Sequence, residues 1–288
     1  MAISTDQVRS VIDCYQAAAL ANQNTPSRSG NVVNLTAEIA DECLVTGDVH
    51  GHVANFDAIL RLADLERFPR RHLVLQEVCH GGPLFPNGGC KSFRLLERVA
   101  RLKTEYPDRV HFLLSNHELA ELTDYPILKA KRMLNLTFRM GLQEEYGDAA
   151  DQVREAYCQF IGSCPLGVRL ASGVFISHSL PEHLDHHTFD RTVLDRPYEP
   201  QDLREHGPVF DLVWGRDHRP DNAHAFSVLV GSKVLVHGHE PCREGFGTPN
   251  DTQLILDCCG DVACYVLLPV GGSITHAEAL QCVQRLTP

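Results

Sequence analysis

The sequence predicts an α/β fold built around parallel strands. Apolar runs typical of buried strands alternate with helical segments between residues 44 and 114. Each of these runs ends close to an acidic residue, an amide or a histidine, which is typical of the carboxyl edge of an open α/β sheet. The chain has 288 residues and 43% hydrophobic content, which is enough for a substantial core that commonly folds as one unit.

The N-terminal segment predicts a helix followed by a loop. Ser4 and Gln7 have the spacing of a capping box, and the apolar residues after them recur at helical intervals to about residue 21. Residues 22–34 are rich in Asn, Ser, Gly and Pro, which indicates a loop that joins this helix to the main body. We therefore expect residues 1–40 to form an N-terminal helix and loop, and residues 41–288 to form one domain that folds as a single unit.

A predicted central strand delivers the first candidate ligands. Leu44 and Val45 lie at its buried end, and Gly47 is expected to let the backbone turn after them. Asp48 and His50 then emerge one residue apart, so that both side chains can face one crevice. A carboxylate oxygen beside a neutral imidazole suits a divalent cation such as manganese, iron or zinc.

The same pattern recurs along the chain, because two further strands end near Glu77 and Asn116 and two later strands end near His178 and His239. The elements predicted after the first strand are helices at 55–65 and 92–103, strands at 72–76, 110–114, 174–181 and 234–241, and helical structure from about 119 to 160. Residues 251–268 place two short apolar runs around a Cys-Gly-Asp sequence. This arrangement predicts a hairpin that closes a second sheet.

The charge and hydropathy of the chain exclude several classes of function. The formal net charge of −11 argues against broad electrostatic binding to nucleic acid or to an anionic membrane. No apolar stretch approaches the roughly 20 residues of a transmembrane helix, and the N-terminus lacks the basic start of a signal peptide. We therefore expect a cytoplasmic protein. The eleven cysteines include no Cys-x-x-Cys pair and are expected to be reduced.

Side chains that bind divalent metals collect at the predicted strand ends, and His117 lies beside them as a further imidazole. The candidate ligands are Asp48, His50, Glu77, Asn116, His178 and His239. This inventory suits two metals, which in such sites lie about 3.5–4 Å apart. An Asn carbonyl can complete the second site without adding charge. We expect two divalent cations, with manganese favoured over iron or zinc.

Five segments carry motifs that occur in a characteristic order. Residues 47–51 read G-D-V-H-G, residues 116–118 read N-H-E, residue 178 is a histidine, residues 211–214 read D-L-V-W, and residues 238–241 read G-H-E-P. In this order they resemble the motifs of calcineurin-like metallophosphoesterases. The resemblance is greatest to the phosphoprotein phosphatase branch, which includes Ser/Thr phosphatases and bacterial diadenosine tetraphosphatases, and it covers residues 43 to about 268.

The resemblance implies a four-layer α/β/β/α sandwich with two mixed sheets and a dinuclear metal site at the strand ends. The implied ligands are Asp48 and His50 for the first metal, and Asn116, His178 and His239 for the second. His117 is then implied as the general acid, which protonates the leaving oxygen while a metal-bridging hydroxide attacks phosphorus.

The second family motif is altered in this chain. Where the family has G-D-x-V-D-R-G, residues 76–82 read Q-E-V-C-H-G-G. Glu77 takes the position of the bridging aspartate; a shifted alignment would put Gln76 there, but a neutral amide is a poor bridge between two cations. His80 replaces the aspartate that orients the catalytic histidine, and Gly81 replaces a phosphate-binding arginine.

Arg196, in the sequence D-R-P-Y-E-P, resembles the second phosphate-binding arginine of the family, so Arg196 and His80 are the candidate substrate-binding residues. We expect a metal-dependent phosphoesterase that hydrolyses phosphomonoesters or related phosphoanhydrides. Phosphoproteins and dinucleoside polyphosphates are competing substrates. The altered segment 76–82 favours an alternative, a catalytically weakened protein of the same fold with a binding or regulatory role.

Overall fold

The structure is a computed structural model that describes residues 3–287. Its α-helices are α1 Thr5–Gln23, α2 Val53–Ala63, α3 Phe93–Glu105, α4 Asn116–Thr123, α5 Leu134–Tyr146, α6 Ala150–Ser163, α7 Pro208–Trp214, α8 Pro220–Val230 and α9 His276–Gln281. Its strands are β1 Arg28–Ser29, β2 Val32–Leu35, β3 Glu42–Asp48, β4 Arg71–Gln76, β5 Val110–Phe112, β6 Leu128–Lys129, β7 Arg132–Met133, β8 Gly167–Leu170, β9 Val174–Ser177, β10 Val234–His237, β11 Phe246–Gly247, β12 Gln253–Leu256, β13 Cys264–Pro269 and β14 Val283–Arg285.

Within residues 3–287, twelve of the strands form two mixed sheets, and β6 and β7 form a separate antiparallel pair. The five-stranded sheet has the order β14-β13-β3-β4-β5, in which β3, β4 and β5 are parallel and β13 runs antiparallel to β3. The seven-stranded sheet has the order β1-β2-β8-β9-β10-β12-β11, with β9, β10 and β12 parallel. Two parallel sets therefore run through the two sheets, and the polar residues that follow these strands can meet at one edge.

The two sheets pack face to face, and helices cover their outer faces. In β3, Cys43 and Val45 belong to the apolar core between the sheets, whereas Leu44 joins the outer core that includes α2 and α3. In β9, Ile176 faces the inner core and Phe175 packs against Phe226 of α8. Both faces of β3 and β9 are apolar because both faces are covered. The predicted four-layer α/β/β/α sandwich is confirmed.

The N-terminal helix begins as predicted, but the segment after it is not only a loop. Ser4 and Gln7 form the capping box, and Tyr15 is buried where α1 packs on α3 and α6. The predicted loop at 22–34 contains β1 and most of β2, and β2 pairs in parallel with β8. The polar composition of residues 22–34 predicts a loop and gives no indication of these two strands, which lie at the edge of a sheet. The boundary at residue 40 stays a prediction.

Two other predicted elements differ from the structure. The predicted hairpin at 251–268 is wrong, because β12 pairs with β10 in one sheet and β13 pairs with β3 in the other. The Cys-Gly-Asp sequence between them crosses from sheet to sheet, and short apolar runs buried on both faces carry no signal of their partner. The helical stretch at 119–160 is interrupted by the antiparallel pair β6 and β7.

Gly47 lies inside β3 rather than at a turn. The pairing of β3 with β4 shifts register between Val45 and Asp48. A Cβ atom at Gly47 would lie 1.9 Å from the carbonyl oxygen of Leu256 in the other sheet. Glycine is therefore needed at position 47 so that the two sheets can approach each other closely. Next to it, Asp48 and Asp257 form a parallel bridge between the sheets.

Across residues 3–287, none of the helices combines the length and the apolar character that crossing a lipid bilayer requires.

Candidate metal centre and active site

The residues that follow the parallel strands of both sheets meet at one edge of the sandwich. The predicted residues at this edge are Asp48 at the end of β3, His50, Glu77 after β4, Asn116 and His117 at the start of α4, His178 after β9, and His239 after β10. Most of these side chains are buried, which is unusual for charged and polar residues unless they pair or bind a cation.

A first group of side chains surrounds one oxygen of Glu77. His50 Nε2 lies 2.9 Å from Glu77 Oε1, and His117 Nε2 lies 3.9 Å from the same oxygen. His50 Nδ1 lies 3.1 Å from the carbonyl oxygen of Cys79. With Nδ1–H donating to that carbonyl, Nε2 is left free to act as a ligand, which is the usual arrangement of a metal-binding histidine.

A second group surrounds the other oxygen of Glu77. His178 Nε2 lies 3.1 Å from Glu77 Oε2 and 2.7 Å from Asn116 Oδ1. The backbone N–H of His239 donates to Asp48 Oδ1 over 2.9 Å, and His239 Nδ1 lies 3.0 Å from Asn116 Oδ1. The ring nitrogen of His239 that faces this group is Nδ1, so Nδ1 is the atom through which His239 would bind a cation beside Asn116.

Glu77 belongs to both groups. His50, Glu77 and His117 place ligand atoms within 4.8 Å of one another, and so do Asp48, Glu77 and His178. Gln76, the alternative bridge, donates from Nε2 to the carbonyl oxygen of Thr46 over 2.8 Å and has Oε1 3.3 Å from His178 Nδ1. Gln76 therefore supports one ligand, whereas the Glu77 carboxylate lies between both groups. The donor set fits two divalent cations that share a carboxylate.

The charges of this centre are strongly coupled. Burial and the nearby Glu77 raise the pKa of Asp48 to about 7. Burial also acts to raise the pKa of Glu77, but His117, His50 and His178 outweigh it and hold this pKa well below its usual range. Burial acts to lower the pKa of His50, yet Glu77 raises it to about 10. Two buried carboxylates thus need positive charge beside them, which divalent cations can supply.

The backbone adopts the left-handed region at four site residues that are not glycine. These residues are His50 (φ 43°), Glu77 (φ 34°), His80 (φ 63°) and His239 (φ 68°). Such conformations cost roughly 1–3 kcal/mol each and collect at functional sites, where the surrounding structure enforces them. The side chains of His50, Glu77 and His239 are therefore aimed at the centre at the expense of local stability.

His80 does not face the cavity, which differs from its prediction as a substrate-binding residue. Its side chain lies behind His117, with 2.8 Å between the two Nδ1 atoms, and its Nε2 lies 2.8 Å from Glu121 Oε1. The backbone N–H of His80 donates to Ser92 Oγ. The left-handed backbone at residue 80 turns the ring inward, so its contact is with the predicted general acid.

Arg196 is not brought to the centre either. Asp202 accepts two hydrogen bonds from its guanidinium, at 2.6 and 3.0 Å, and Asp190 accepts a third at 3.0 Å.

The glycine at position 81, where the family has an arginine, is required by the local packing. Gly81 has a φ of 96°, and a Cβ atom there would lie 2.7 Å from the carbonyl oxygen of His50. The two loops pack too closely for a side chain.

A cavity of about 310 Å³ opens over the centre, which is a volume typical of small-molecule sites. Six of its lining residues are not among the predicted site residues, namely Lys129, Arg216, Glu240, Pro241, Asp257 and Cys259. Asp257 directly follows β12, so the strand-end signal that revealed Asp48 would have found it. Lys129 and Arg216 lie in the β6–β7 pair and after α7, where no periodic pattern marks them.

The comparisons with known proteins agree with this geometry. The family described as calcineurin-like phosphoesterase matches residues 43–260. The serine/threonine-protein phosphatase T of Trypanosoma brucei brucei is 25% identical over 235 residues, which cover 75% of this chain and 45% of that protein. The chain thus spans about half the length of this curated relative.

Solved structures with the same fold include two phosphatases. A protein serine/threonine phosphatase from Saccharomyces cerevisiae superposes with a TM-score of 0.71 at 15% identity, over 98% of this chain and 90% of that one. The cold-active protein-tyrosine phosphatase of a psychrophilic Shewanella species superposes with a TM-score of 0.54 at 12% identity, over 93% and 84% of the two chains. The resemblance predicted from the motifs is confirmed, and the chain belongs to the calcineurin-like phosphoesterase family of hydrolases.

Proposed function

We propose that this chain hydrolyses phosphomonoesters, with phosphoserine and phosphothreonine in proteins as the favoured substrates. The observation that carries the proposal is the pair of ligand groups that share Glu77, with His117 at the edge of the same cavity. The curated relative is named a serine/threonine-protein phosphatase, which supports a phosphoprotein substrate over a dinucleoside polyphosphate.

The donor set indicates how the metals would be held. We assign Asp48 and His50 to one cation, Asn116, His178 and His239 to the other, and Glu77 to both. Carboxylate, imidazole and amide oxygen donors together suit manganese or iron, and we favour manganese. When bound, the two cations supply an activated water and neutralise charge that develops on the phosphoryl oxygens.

His117 is the group placed to protonate the leaving oxygen. Its Nε2 faces the cavity, 3.9 Å from Glu77 Oε1, and its Nδ1 faces His80. Burial lowers the pKa of His117 to about 3, against the attraction of Glu77. A bound phosphate dianion would favour the protonated ring. Transfer of the Nε2 proton to the departing alkoxide then yields an alcohol and a neutral imidazole.

Among the described residues that line this cavity, Lys129 and Arg216 are the lysine and arginine available to the phosphoryl group, because Gly81 has no side chain and Arg196 lies elsewhere. Arg216 Nη1 pairs with Glu240 at 2.6 Å, which holds the guanidinium at the cavity wall. A planar guanidinium can donate two parallel hydrogen bonds to phosphate oxygens. We therefore assign phosphate binding to Arg216, with Lys129 in support.

Replacing Arg216 by alanine is expected to lower kcat/KM about 10- to 100-fold, because a hydrogen bond to a charged group contributes about 1.5–3 kcal/mol. Steady-state kinetics on an aryl phosphate measure the effect. Arg196→Ala is the matched control, since Arg196 is tied to Asp190 and Asp202 outside the cavity, and it should leave KM unchanged. If only Arg196→Ala raised KM, the assignment of phosphate binding to Arg216 would be contradicted.

The substrate proposal is tested with manganese-loaded protein on three substrates: an aryl phosphate, a phosphoserine peptide and a dinucleoside tetraphosphate. We expect phosphate release from the first two, stimulated by metal, and a higher kcat/KM for the peptide than for the dinucleotide. A preference for the dinucleotide would overturn the proposed substrate. No metal-stimulated turnover on any of the three would favour the weakened binding protein instead.

A further inference from the structure

A buried series of hydrogen bonds leads away from the cavity behind His117. The Nδ1 atoms of His117 and His80 lie 2.8 Å apart, and His80 Nε2 lies 2.8 Å from Glu121 Oε1. His80 is 1% exposed and Glu121 is 0% exposed. His117 and Glu121 are four residues apart on α4, so both lie on the same face of one helix turn.

With Glu121 ionised and His80 neutral, the hydrogen bonds of this series can run in only one direction. An ionised carboxylate only accepts hydrogen bonds, so His80 Nε2–H donates to Glu121 Oε1. A neutral His80 then presents its Nδ1 as an acceptor. His117 must donate from its own Nδ1, which leaves its Nε2 as the nitrogen that exchanges a proton at the cavity. The tautomer of His117 is thus set by a carboxylate that it does not touch.

The neighbouring carboxylate of Glu118 has a structural role, and its hydrogen bonds differ from those of Glu121. Glu118 Oε1 accepts the backbone N–H groups of Val78 and Cys79 at 3.0 and 2.8 Å, which ties α4 to the loop after β4. Within residues 3–287, the Glu121 carboxylate accepts no backbone hydrogen bond. Its partners are His80 and the hydroxyl of Tyr157, which donates to Oε2 over 3.1 Å. Burying this charge is costly and serves the imidazole pair.

We propose that Glu121 is a positioning residue that acts through His80 to hold His117 in the orientation and tautomer needed for proton transfer to the leaving group. This inference rests on the proposed phosphoesterase function. His80 replaces the aspartate that orients the catalytic histidine in the family. Nδ1 of histidine and Oδ1 of aspartate are both bonded to Cγ, so His80 presents an acceptor to His117 where the aspartate would. The negative charge itself lies one ring further away, on Glu121.

Glu121→Gln tests the proposal, because the amide can present N–H rather than oxygen to His80 and reverse the direction of both hydrogen bonds. We expect kcat on a phosphoserine peptide to fall about 10- to 100-fold, the loss typical of residues that orient an active-site histidine. On p-nitrophenyl phosphate the loss should be much smaller, since that leaving group needs little protonation. KM and bound metal should stay unchanged.

Tyr157→Phe is the matched control, since it removes a hydrogen bond to Glu121 but keeps the carboxylate. Its kcat should be within a few-fold of the wild type on both substrates. A readout independent of turnover is proton NMR of metal-free protein. The downfield N–H resonance of His80 bonded to Glu121 should persist in Tyr157→Phe and be lost in Glu121→Gln.

The double variant His80→Asp with Glu121→Gln supplies rescue, because it gives His117 a carboxylate acceptor at the position that His80 Nδ1 occupies. It should recover most of the kcat that Glu121→Gln loses on the peptide. Equal losses of Glu121→Gln on both substrates, or no loss on either, would overturn the positioning role. Inactive wild-type protein would instead refute the phosphoesterase function on which it rests.

Discussion

Replacing Glu77 by glutamine is expected to lower kcat about a thousandfold on any phosphomonoester. The Glu77 carboxylate is common to both ligand groups, with one oxygen 2.9 Å from His50 Nε2 and the other 3.1 Å from His178 Nε2. A neutral amide of the same shape cannot bridge two cations, and the loss of several kcal/mol of metal stabilisation corresponds to about three powers of ten in rate. Steady-state turnover with saturating manganese measures the effect.

The exchange variant Gln76→Glu with Glu77→Gln is the control, because it keeps the composition and moves the carboxylate by one position. It should be as inactive as Glu77→Gln, since the Gln76 side chain contacts Thr46 and His178 rather than both groups. Activity in the exchange variant would show that residue 76 holds the bridge. Full turnover of Glu77→Gln would refute the shared carboxylate.

Replacing His117 by asparagine should lower kcat about 10²- to 10⁴-fold, the range of a general acid, while the protein keeps its metals. The loss should be greater on a phosphoserine peptide than on an aryl phosphate, because an alkoxide is the poorer leaving group. Turnover on both substrates, with metal content by atomic emission, provides the measurement.

His239→Asn distinguishes an acid from a ligand at position 117. His117 lies within ligand distance of His50 and Glu77, so the geometry also permits it to bind a cation. His239→Asn should lose metal, since its ring lies 3.0 Å from Asn116 Oδ1 at the second group. If His117→Asn loses metal to the same extent, His117 is a ligand and the general acid is another residue.

The strand ends could be predicted from the sequence because each is a local pattern, an apolar run followed by a polar residue. Asp48, Glu77 and His178 all emerge from such runs, and the structure brings them together. Asp257 follows the same pattern after β12. The prediction of a single hairpin at residues 251–268 makes the end of β12 part of a hairpin, so it does not place Asp257 at the sheet edge.

The partners of His117 could be predicted only in part. The four-residue spacing of His117 and Glu121 is a local helical signal and could have indicated a shared face. The insertion of His80 between them depends on the left-handed backbone after β4, which residue types do not encode in a recognisable way. The position of Arg216 depends on how the chain after α7 packs over the cavity. Such contacts are set by tertiary structure alone.

The central claim is that two cations share Glu77, and metal content tests it most directly. Protein saturated with manganese and then freed of excess metal should contain two ions per chain by atomic emission. Under the same conditions Glu77→Gln should contain at most one. Two ions in both proteins, or a single ion in a fully active wild type, would contradict the dinuclear centre.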